Sequence, residues 1–391
     1  MKILIINELL ISGGAEQSCL KTKKILEKNN HEVYYLNFDN KFEKNILEVE
    51  NQKNIINIKI PNNNINKSIL NVYYYLKIRK TIKKINPDKI ILNNIFSSPI
   101  TVLKALRGFE IYQIIRDYFP VCPKSTMIKN DLSVCEGYKY EDCLKCQDSI
   151  QMKVKIARIK KLEKLRKAIL KKVIAPSQKL TDYLSSYGYD AICVNNPIEI
   201  TNKCENIEKS NNSDTKEFLY LGGVNEIKGI YKFIDAFNEV SKDKNIKLTI
   251  IGKCTSEYDE QKINEYVNKN SKIIYLGYKS HNEVIDVIDK FHFIVVPSLW
   301  IENYPTTALE GMLYKCLVLG SNRGGIPEII GEDRGFIFDV TKKDNIRQVI
   351  EKSCNLTEEE YCNIISNAYN YVISNNSYER YYENLMKVFN N

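Results

Sequence analysis

Long apolar runs are missing from this chain. None reaches the roughly 18 residues of a membrane span. The opening MKILIINELLISGG is broken at Asn7-Glu8 and runs into glycines rather than a cleavage site, so it does not read as a signal peptide and a cytoplasmic protein is expected. No internal repeat stands out. Histidine is scarce, at three residues. His281 and His292 have no identifiable partner, and surface or half-buried rings account for them. Charge of one sign does not dominate either: 57 Lys and Arg stand against 48 Asp and Glu, a net +9. That surplus fits a solvated basic surface or attraction to phosphates and anionic lipid, and alone it carries no nucleic-acid role. Eleven cysteines in a cytosolic-looking chain argue against a disulfide framework. Isolated ones such as Cys193, Cys254 and Cys316 read as buried free thiols.

At 391 residues the chain is too long for one ordinary core, and two domains are expected. Its 43% hydrophobic and 27% charged residues are those of a soluble globular protein. Both halves open alike. Lys2 to Ile6 is a strand, Ser12-Gly13-Gly14-Ala15-Glu16 a turn, and an amphipathic helix runs to about Lys28 before a strand over residues 31–36. That is the start of a Rossmann-like layer. The Gly13-Gly14 pair lets backbone N–H groups approach a ligand, and it also serves simply as a tight turn. In the second half, Phe218 to Leu221 is a strand, followed by Gly222-Gly223, then Lys228-Gly229 and a helix from Ile230 to Val240. A glycine turn with a lysine before a helix is a phosphate-binding layout.

The most informative stretch is Phe291 to Ile330. Phe293 to Val296 reads as a buried strand ended by Pro297-Ser298. The loop Glu302-Asn303-Tyr304-Pro305 leads into a helix whose first turn holds Pro305, Thr306 and Thr307, with Glu310 a turn and a half in. Cys316 to Leu319 is the next strand. It ends in Ser321-Asn322-Arg323-Gly324-Gly325, and Pro327 opens another helix. Two carboxylates flank a helix N-terminus whose unpaired N–H groups favour an anion. Carboxylates also accept from neighbouring hydroxyls, as in a ribose or a sugar ring. A phosphate seat between two hydroxyl-reading carboxylates describes a nucleotide-sugar site.

With Pro297-Ser298, Glu302, Glu310 and Gly324-Gly325-Ile326-Pro327-Glu328 in this order and spacing, the segment resembles the signature of glycosyltransferase family 4, retaining enzymes of the GT-B fold. The resemblance implies an α/β chain of two Rossmann-like domains facing across a cleft, with a C-terminal helix returning to the first. The expected boundaries are 1–197 for the acceptor-side domain, with a Cys-bearing insertion at about 119–150. A linker follows over 198–216, then the nucleotide-sugar domain over 217–375 and the returning helix over 376–391.

The resemblance also implies roles. Lys228 and the helix start at Thr306-Thr307 stabilise the leaving diphosphate, Glu310 holds the ribose, and Glu302 holds donor-sugar hydroxyls. Gly13, Gly14, Gly222, Gly223, Asn303, Tyr304 and Pro305 line the donor, and Tyr278 with Lys279 borders the base. Asp117 orients an acceptor hydroxyl, or it caps the turn after its strand.

Two departures stand out. Arg116 occupies a position where the family commonly has His, and it fits an anionic group. Gly223 replaces a usual arginine, for which Arg323 is an expected partial substitute. No Asp-x-Asp occurs, so a metal-dependent donor site of that type is not expected, and no cofactor is required beyond a UDP- or GDP-linked sugar. The resemblance implies a glycan or lipid-linked acceptor, in cell-surface polysaccharide or glycoconjugate assembly. Alternatives are a silent binding subunit, an epimerase or a phosphorylase.

Two other stretches carry signals. Cys122, Cys135, Cys143 and Cys146 form either a structural zinc site or a reduced cluster of thiols that orders a loop. Lys153 to Lys172 is a basic helix with a stripe at Val154, Ile156, Ile159, Leu162, Leu165, Ile169 and Leu170. It is either core-facing with a solvated basic face, or a dock for an anionic surface on the inner face of the cell membrane.

Overall fold

The computed structural model describes residues 1–8, 14–38, 54–61, 63–95, 99–135, 142–143, 146, 150–205 and 207–390. Gly13, Ser97-Ser98, most of the Asn-rich stretch after Asn40 and part of the Cys-bearing insertion lie outside the described residues. The chain divides into two compact units. One comprises Met1–Asn130, Cys135–Pro197 and Tyr381–Asn391; the other comprises Asp131–Val134 and Ile198–Arg380.

In the first unit the strands are β1 (Lys2–Asn7), β2 (Glu32–Asn37), β3 (Ile55–Asn57), β4 (Lys89–Leu92), β5 (Ile111–Ile114), β6 (Lys172–Ala175) and β7 (Ala191–Cys193). They form one sheet in the order β3-β2-β1-β4-β5-β6-β7, with every pairing parallel. Parallel neighbours need a crossover between them. Helices α1 (Gly14–Lys28), α2 (Asn64–Ser68), α3 (Val72–Ile85), α4 (Pro99–Ala105), α5 (Ile150–Ile169) and α6 (Gln178–Ser186) serve that need. Ile78, Ile82 and Ile85 of α3 join Leu4, Ile90 and Leu92 of the sheet in one buried cluster.

The second unit has β8 (Lys216–Leu221), β9 (Ile246–Ile251), β10 (Ile273–Tyr275), β11 (Phe293–Val296), β12 (Leu317–Ser321) and β13 (Gly335–Phe338) in the order β10-β9-β8-β11-β12-β13, again all parallel. Its helices are α7 (Asn202–Glu205), α8 (Ile230–Val240), α9 (Glu257–Lys269), α10 (His281–Ile285), α11 (Thr306–Leu313), α12 (Ile326–Ile330), α13 (Lys343–Cys354) and α14 (Glu358–Asn376). α15 (Tyr378–Asn390) follows, and its residues from Tyr381 on belong to the first unit. The FIVV and LVLGS runs are buried throughout, as strands covered on both faces must be. Helix α8 buries Ile230, Phe233, Ile234, Phe237 and Val240, an i, i+3, i+4 stripe. Phe218 stacks at 4.6 Å on Phe293 within the same core.

Several expectations change here. The linker over 198–216 is not a free tether: Ile198, Cys204 and Ile207 are buried in the second core, and Lys209 Nζ donates to the carbonyls of Asp289 and Phe291 at 2.6 Å. β13 pairs with β12 although no long apolar run marks it. β7 was likewise unmarked by any apolar run. Between β10 and β11 lie only the short α10 and a 3-10 turn at Ile288–Lys290. In α5, Ile156, Ile159, Leu162 and Leu165 are buried, so the apolar stripe is core and the basic face is what remains outside.

The strand order reverses at β8 in the second sheet, since β9 lies on one side and β11 on the other. In open parallel sheets, ligands bind beyond the carboxyl ends of strands at such a point. The loops that follow β8 and β11 therefore form the place to look.

Candidate functional site

The loop after β8 is built around backbone needs. Asn225 caps the 3-10 turn Glu226–Lys228, its side chain accepting from the Lys228 N–H at 3.0 Å. Gly229 then sits at φ 73°, where a Cβ would lie 1.7 Å from the Pro297 carbonyl oxygen. This close approach joins the β8 and β11 loops. The N–H groups of Leu299 and Trp300 both donate to the Ile227 carbonyl, at 3.0 and 3.1 Å. Gly222 and Gly252 pack so tightly that a Cβ on Gly252 would meet the Gly222 carbonyl oxygen at 1.7 Å. The Gly223 carbonyl accepts from the Tyr220 hydroxyl at 2.8 Å.

Lys228 and Glu302 meet at this junction. Lys228 Nζ lies 2.8 Å from Glu302 Oε1, and the buried Ser298 hydroxyl donates to the same oxygen at 2.7 Å. Lys228 Nζ also stands 4.1 Å from the centroid of the Trp300 ring, a cation–π contact. The Trp300 indole N–H is buried and has no hydrogen-bond partner among the described residues. Burial, then the nearby Glu302 charge, push the Tyr220 phenol far above its ordinary pKa and keep it protonated. The Glu302 backbone is pinned as well: its carbonyl accepts from the Gly325 N–H at 2.8 Å, and a Cβ on Gly324 would lie 1.9 Å from it. The GGIPE turn thus positions the loop that bears Glu302.

Helix α11 starts one residue later than expected. Pro305 is the N-cap with φ −69° and ψ 121°, not a first-turn residue, and it supplies no side-chain cap. Thr306 and Thr307 fill the first helical positions, where backbone N–H groups lack intrahelical partners. Glu310 lies one turn on, with its Oε1 3.8 Å from His281 Nδ1. His281 therefore has a partner that the sequence did not reveal. His292 has one too: its Nδ1 accepts from the Glu217 N–H at 3.1 Å.

Other expected site residues fall elsewhere. Tyr304 is buried in the core, and its hydroxyl lies 3.2 Å from that of Tyr371 and 3.5 Å from Asn376 Nδ2. Its side chain supports α14 rather than lining a ligand. Asn303 is half-buried beside it. Tyr278 stands 74% exposed on the loop after β10. Arg323 Nε is buried with no hydrogen-bond partner among the described residues. The Asp339 carboxyl is held low by the Thr341 hydroxyl first, and by the Arg323 charge among lesser causes.

In the first unit, Gly14 opens α1 and Gly13 lies outside the described residues. Asp117 Oδ1 accepts from the Phe119 N–H at 2.8 Å, which is the turn-capping arrangement. Burial raises its carboxyl pKa, while that hydrogen bond and Arg166 oppose the rise. Arg116 is tied to Ser18, to Asn93 at 3.2 Å and to Asn196 at 3.3 Å, so its fork braces α1 and two loops of its own unit. The four cysteines of the insertion feel one another's charge, and burial first and those neighbours next push the Cys143 thiol up to about 12. Among the described residues no group of three or more His, Cys, Asp or Glu is placed to hold a metal ion.

With this geometry in hand, residues 202–371 match the family model described as Glycosyl transferases group 1. That stretch is thus similar to a group 1 glycosyltransferase domain. Over 152 residues it is 34% identical to an uncharacterized glycosyltransferase, MJ1178, of Methanocaldococcus jannaschii, covering 38% of this chain and 40% of that protein. Over 176 residues it is 26% identical to the lipopolysaccharide 1,2-N-acetylglucosaminetransferase of Salmonella typhimurium, covering 42% and 46%. The chain thus spans under half the length of these curated relatives. Among solved structures, Anabaena Alr3699/HepE in complex with UDP and glucose superposes with a TM-score of 0.73 at 14% identity, covering 100% of this chain and 99% of that one. The glycosyltransferase domain and these two parallel-sheet α/β units together make the fold GT-B.

Trp300, Ser298, Asn225 and His281 were not anticipated. Asn225 carried a legible signal, an N-cap type three residues before Lys228. The chain's single tryptophan, two residues before Glu302, was another.

Proposed function

We propose that this protein is a retaining, metal-independent glycosyltransferase that moves a sugar from a nucleotide-diphosphate donor to a glycan or lipid-linked acceptor in surface glycoconjugate assembly. The observation that carries the reading is the Lys228–Glu302 contact at the strand-order reversal, beside the uncapped start of α11. Lys228 and the N–H groups of Thr306 and Thr307 hold the diphosphate and stabilise its negative charge as the glycosidic bond breaks. Gly222 and Gly223 let backbone approach it. Glu302 accepts from donor-sugar hydroxyls and favours positive charge at the anomeric carbon, and Trp300 walls that position. Glu310 accepts from the ribose, and Tyr278 covers the base. Gly13 and Gly14 line the donor from the first unit, and Asp117 orients an acceptor hydroxyl. The UDP and glucose complex of HepE supports uracil as the base and a hexose as the sugar.

Calorimetry with UDP, GDP and ADP, each with magnesium and with chelator, tests the reading. One nucleotide should bind unaffected by chelator, and Glu310→Ala should lose that binding. Full binding in Glu310→Ala would refute the ribose assignment. A second reading, a nucleotide-binding subunit without turnover, is favoured by Gly223, which leaves one cation fewer at the diphosphate than the family pattern has. Intact binding with no transfer and no donor hydrolysis would decide for it.

A further inference from the structure

Helices α2 and α3 carry an apolar face on the outside, besides the stripe Ile78, Ile82 and Ile85 that α3 buries. Asn66 of α2 is buried, donating to the Pro61 carbonyl at 2.9 Å and accepting from Asn71 Nδ2 at 3.1 Å. The Asn71 N–H donates to the Thr101 hydroxyl of α4 at 2.9 Å. These polar groups face inward and fix the two helices to the domain. Five further apolar side chains face out: Ile65 is 66% exposed, Tyr73 65% and Leu76 59%, with Ile69 and Val72 beside them. Five of the twelve large apolar side chains that are exposed among the described residues fall within residues 65–76, so this is a patch rather than scatter. The same face of α3 continues as Lys77, Lys80, Lys83 and Lys84, all exposed. No Asp or Glu occurs between residues 54 and 86.

We propose that this face docks on an anionic lipid bilayer, with Ile65, Ile69, Val72, Tyr73 and Leu76 entering the headgroup–acyl boundary and the α3 lysines meeting lipid phosphates. An apolar row flanked by lysines with no acid is the chemistry of an interfacial helix. The Tyr73 ring, 6.0 Å from Lys77 Nζ, is amphipathic, as residues at headgroup depth are. A second copy of the chain is a poorer occupant, because a two-fold contact would set like charges face to face. The basic helix α5 is poorer too, since its apolar stripe is buried in the core. The proposal does not depend on sugar transfer.

Flotation of the full chain tests it, with phosphatidylcholine vesicles and with vesicles containing phosphatidylglycerol. Binding is expected only to the anionic vesicles, weakening as salt rises. Tyr73→Ser with Leu76→Ser should weaken it about a hundredfold, tenfold or so for each side chain withheld from lipid. Lys80→Gln, Lys83→Gln and Lys84→Gln should each cost about fivefold. All five side chains are exposed, so melting temperature and nucleotide binding should be unchanged. No binding to anionic vesicles would overturn the proposal. So would binding that survives Tyr73→Ser/Leu76→Ser but is lost in Lys160→Gln/Lys161→Gln/Lys164→Gln. A concentration-dependent dimer abolished by Tyr73→Ser/Leu76→Ser, with no vesicle binding, would assign the face to a second copy instead.

Discussion

Glu302→Gln keeps the shape of the side chain and removes its charge, which separates two effects of the Lys228–Glu302 pair. The ammonium and carboxylate lie 2.8 Å apart with side-chain exposures of 27% and 11%, between the surface and buried regimes. Their attraction at an effective dielectric of about 20 is about 6 kcal/mol, but desolvation and screening leave a net of about 1–2 kcal/mol. The glutamine carbonyl still accepts from Ser298, so melting should fall by only about 2–6 °C. Nucleotide-diphosphate binding should move the other way. The carboxylate competes for the ammonium and repels the diphosphate, and relieving this by about 1 kcal/mol tightens UDP about fivefold. Transfer should nevertheless drop about a hundredfold or more, because charge stabilisation at the anomeric carbon is lost. Calorimetry and a product assay on the wild type, Glu302→Gln and Lys228→Met read all three quantities. Lys228→Met should weaken UDP by at least tenfold. Weaker UDP binding in Glu302→Gln, or undiminished transfer, would refute the reasoning and leave the pair a structural tie.

Three more outcomes follow from the same geometry. Gly324→Ala sets a Cβ against the Glu302 carbonyl at a φ of 58°, so it should lose about 2–4 kcal/mol and weaken nucleotide binding; a melting curve like the wild type's would show the turn to be slack. Burial first, then Lys216 and Lys209, lower the His292 pKa to about 4, so its contribution to stability is full above about pH 6.5 and is lost as pH falls toward 4. Denaturant titrations of His292→Gln should show a shallower decline across that window by about 2–3 kcal/mol, and identical slopes would refute it. Trp300, the only tryptophan, lies under Lys228, so UDP should change its emission saturably; calorimetric binding without an emission change would place the diphosphate elsewhere.

The strand–loop–helix plan of the second unit was readable because fully buried parallel strands are uninterrupted apolar runs, and glycine, proline and serine mark their ends. Lys228, Glu302 and Thr306 sit on loops that such punctuation locates. Their mutual contact was not readable, since Lys228 and Glu302 are joined by backbone proximity between Gly229 and Pro297 rather than by spacing along the chain. Tyr304 misled for a related reason: a tyrosine in a polar loop looks available until α14 supplies Tyr371 and Asn376. The short β7 and β13 lack a run long enough to distinguish them from turns. The basic helix α5 and the helix pair α2–α3 show the sharpest limit. Both are apolar and lysine-rich in sequence, and only packing tells which apolar face is covered.

The first unit is closed by residues that follow the whole second unit in the chain. Tyr381 reaches Thr22 at 3.1 Å, Tyr382 reaches His31 at 2.9 Å, and the Phe389 ring lies 4.7 Å from that of Tyr112 while its carbonyl accepts from Lys89 at 3.2 Å. Seven strands are therefore synthesised and must wait, with the seat for Leu385, Val388 and Phe389 exposed, until the whole second unit has emerged. Vectorial synthesis thus makes a chain released early, short of α15, defective in its oldest part rather than its newest. Quality control that senses uncovered apolar surface would detect the loss of α15 at the β1–β7 sheet.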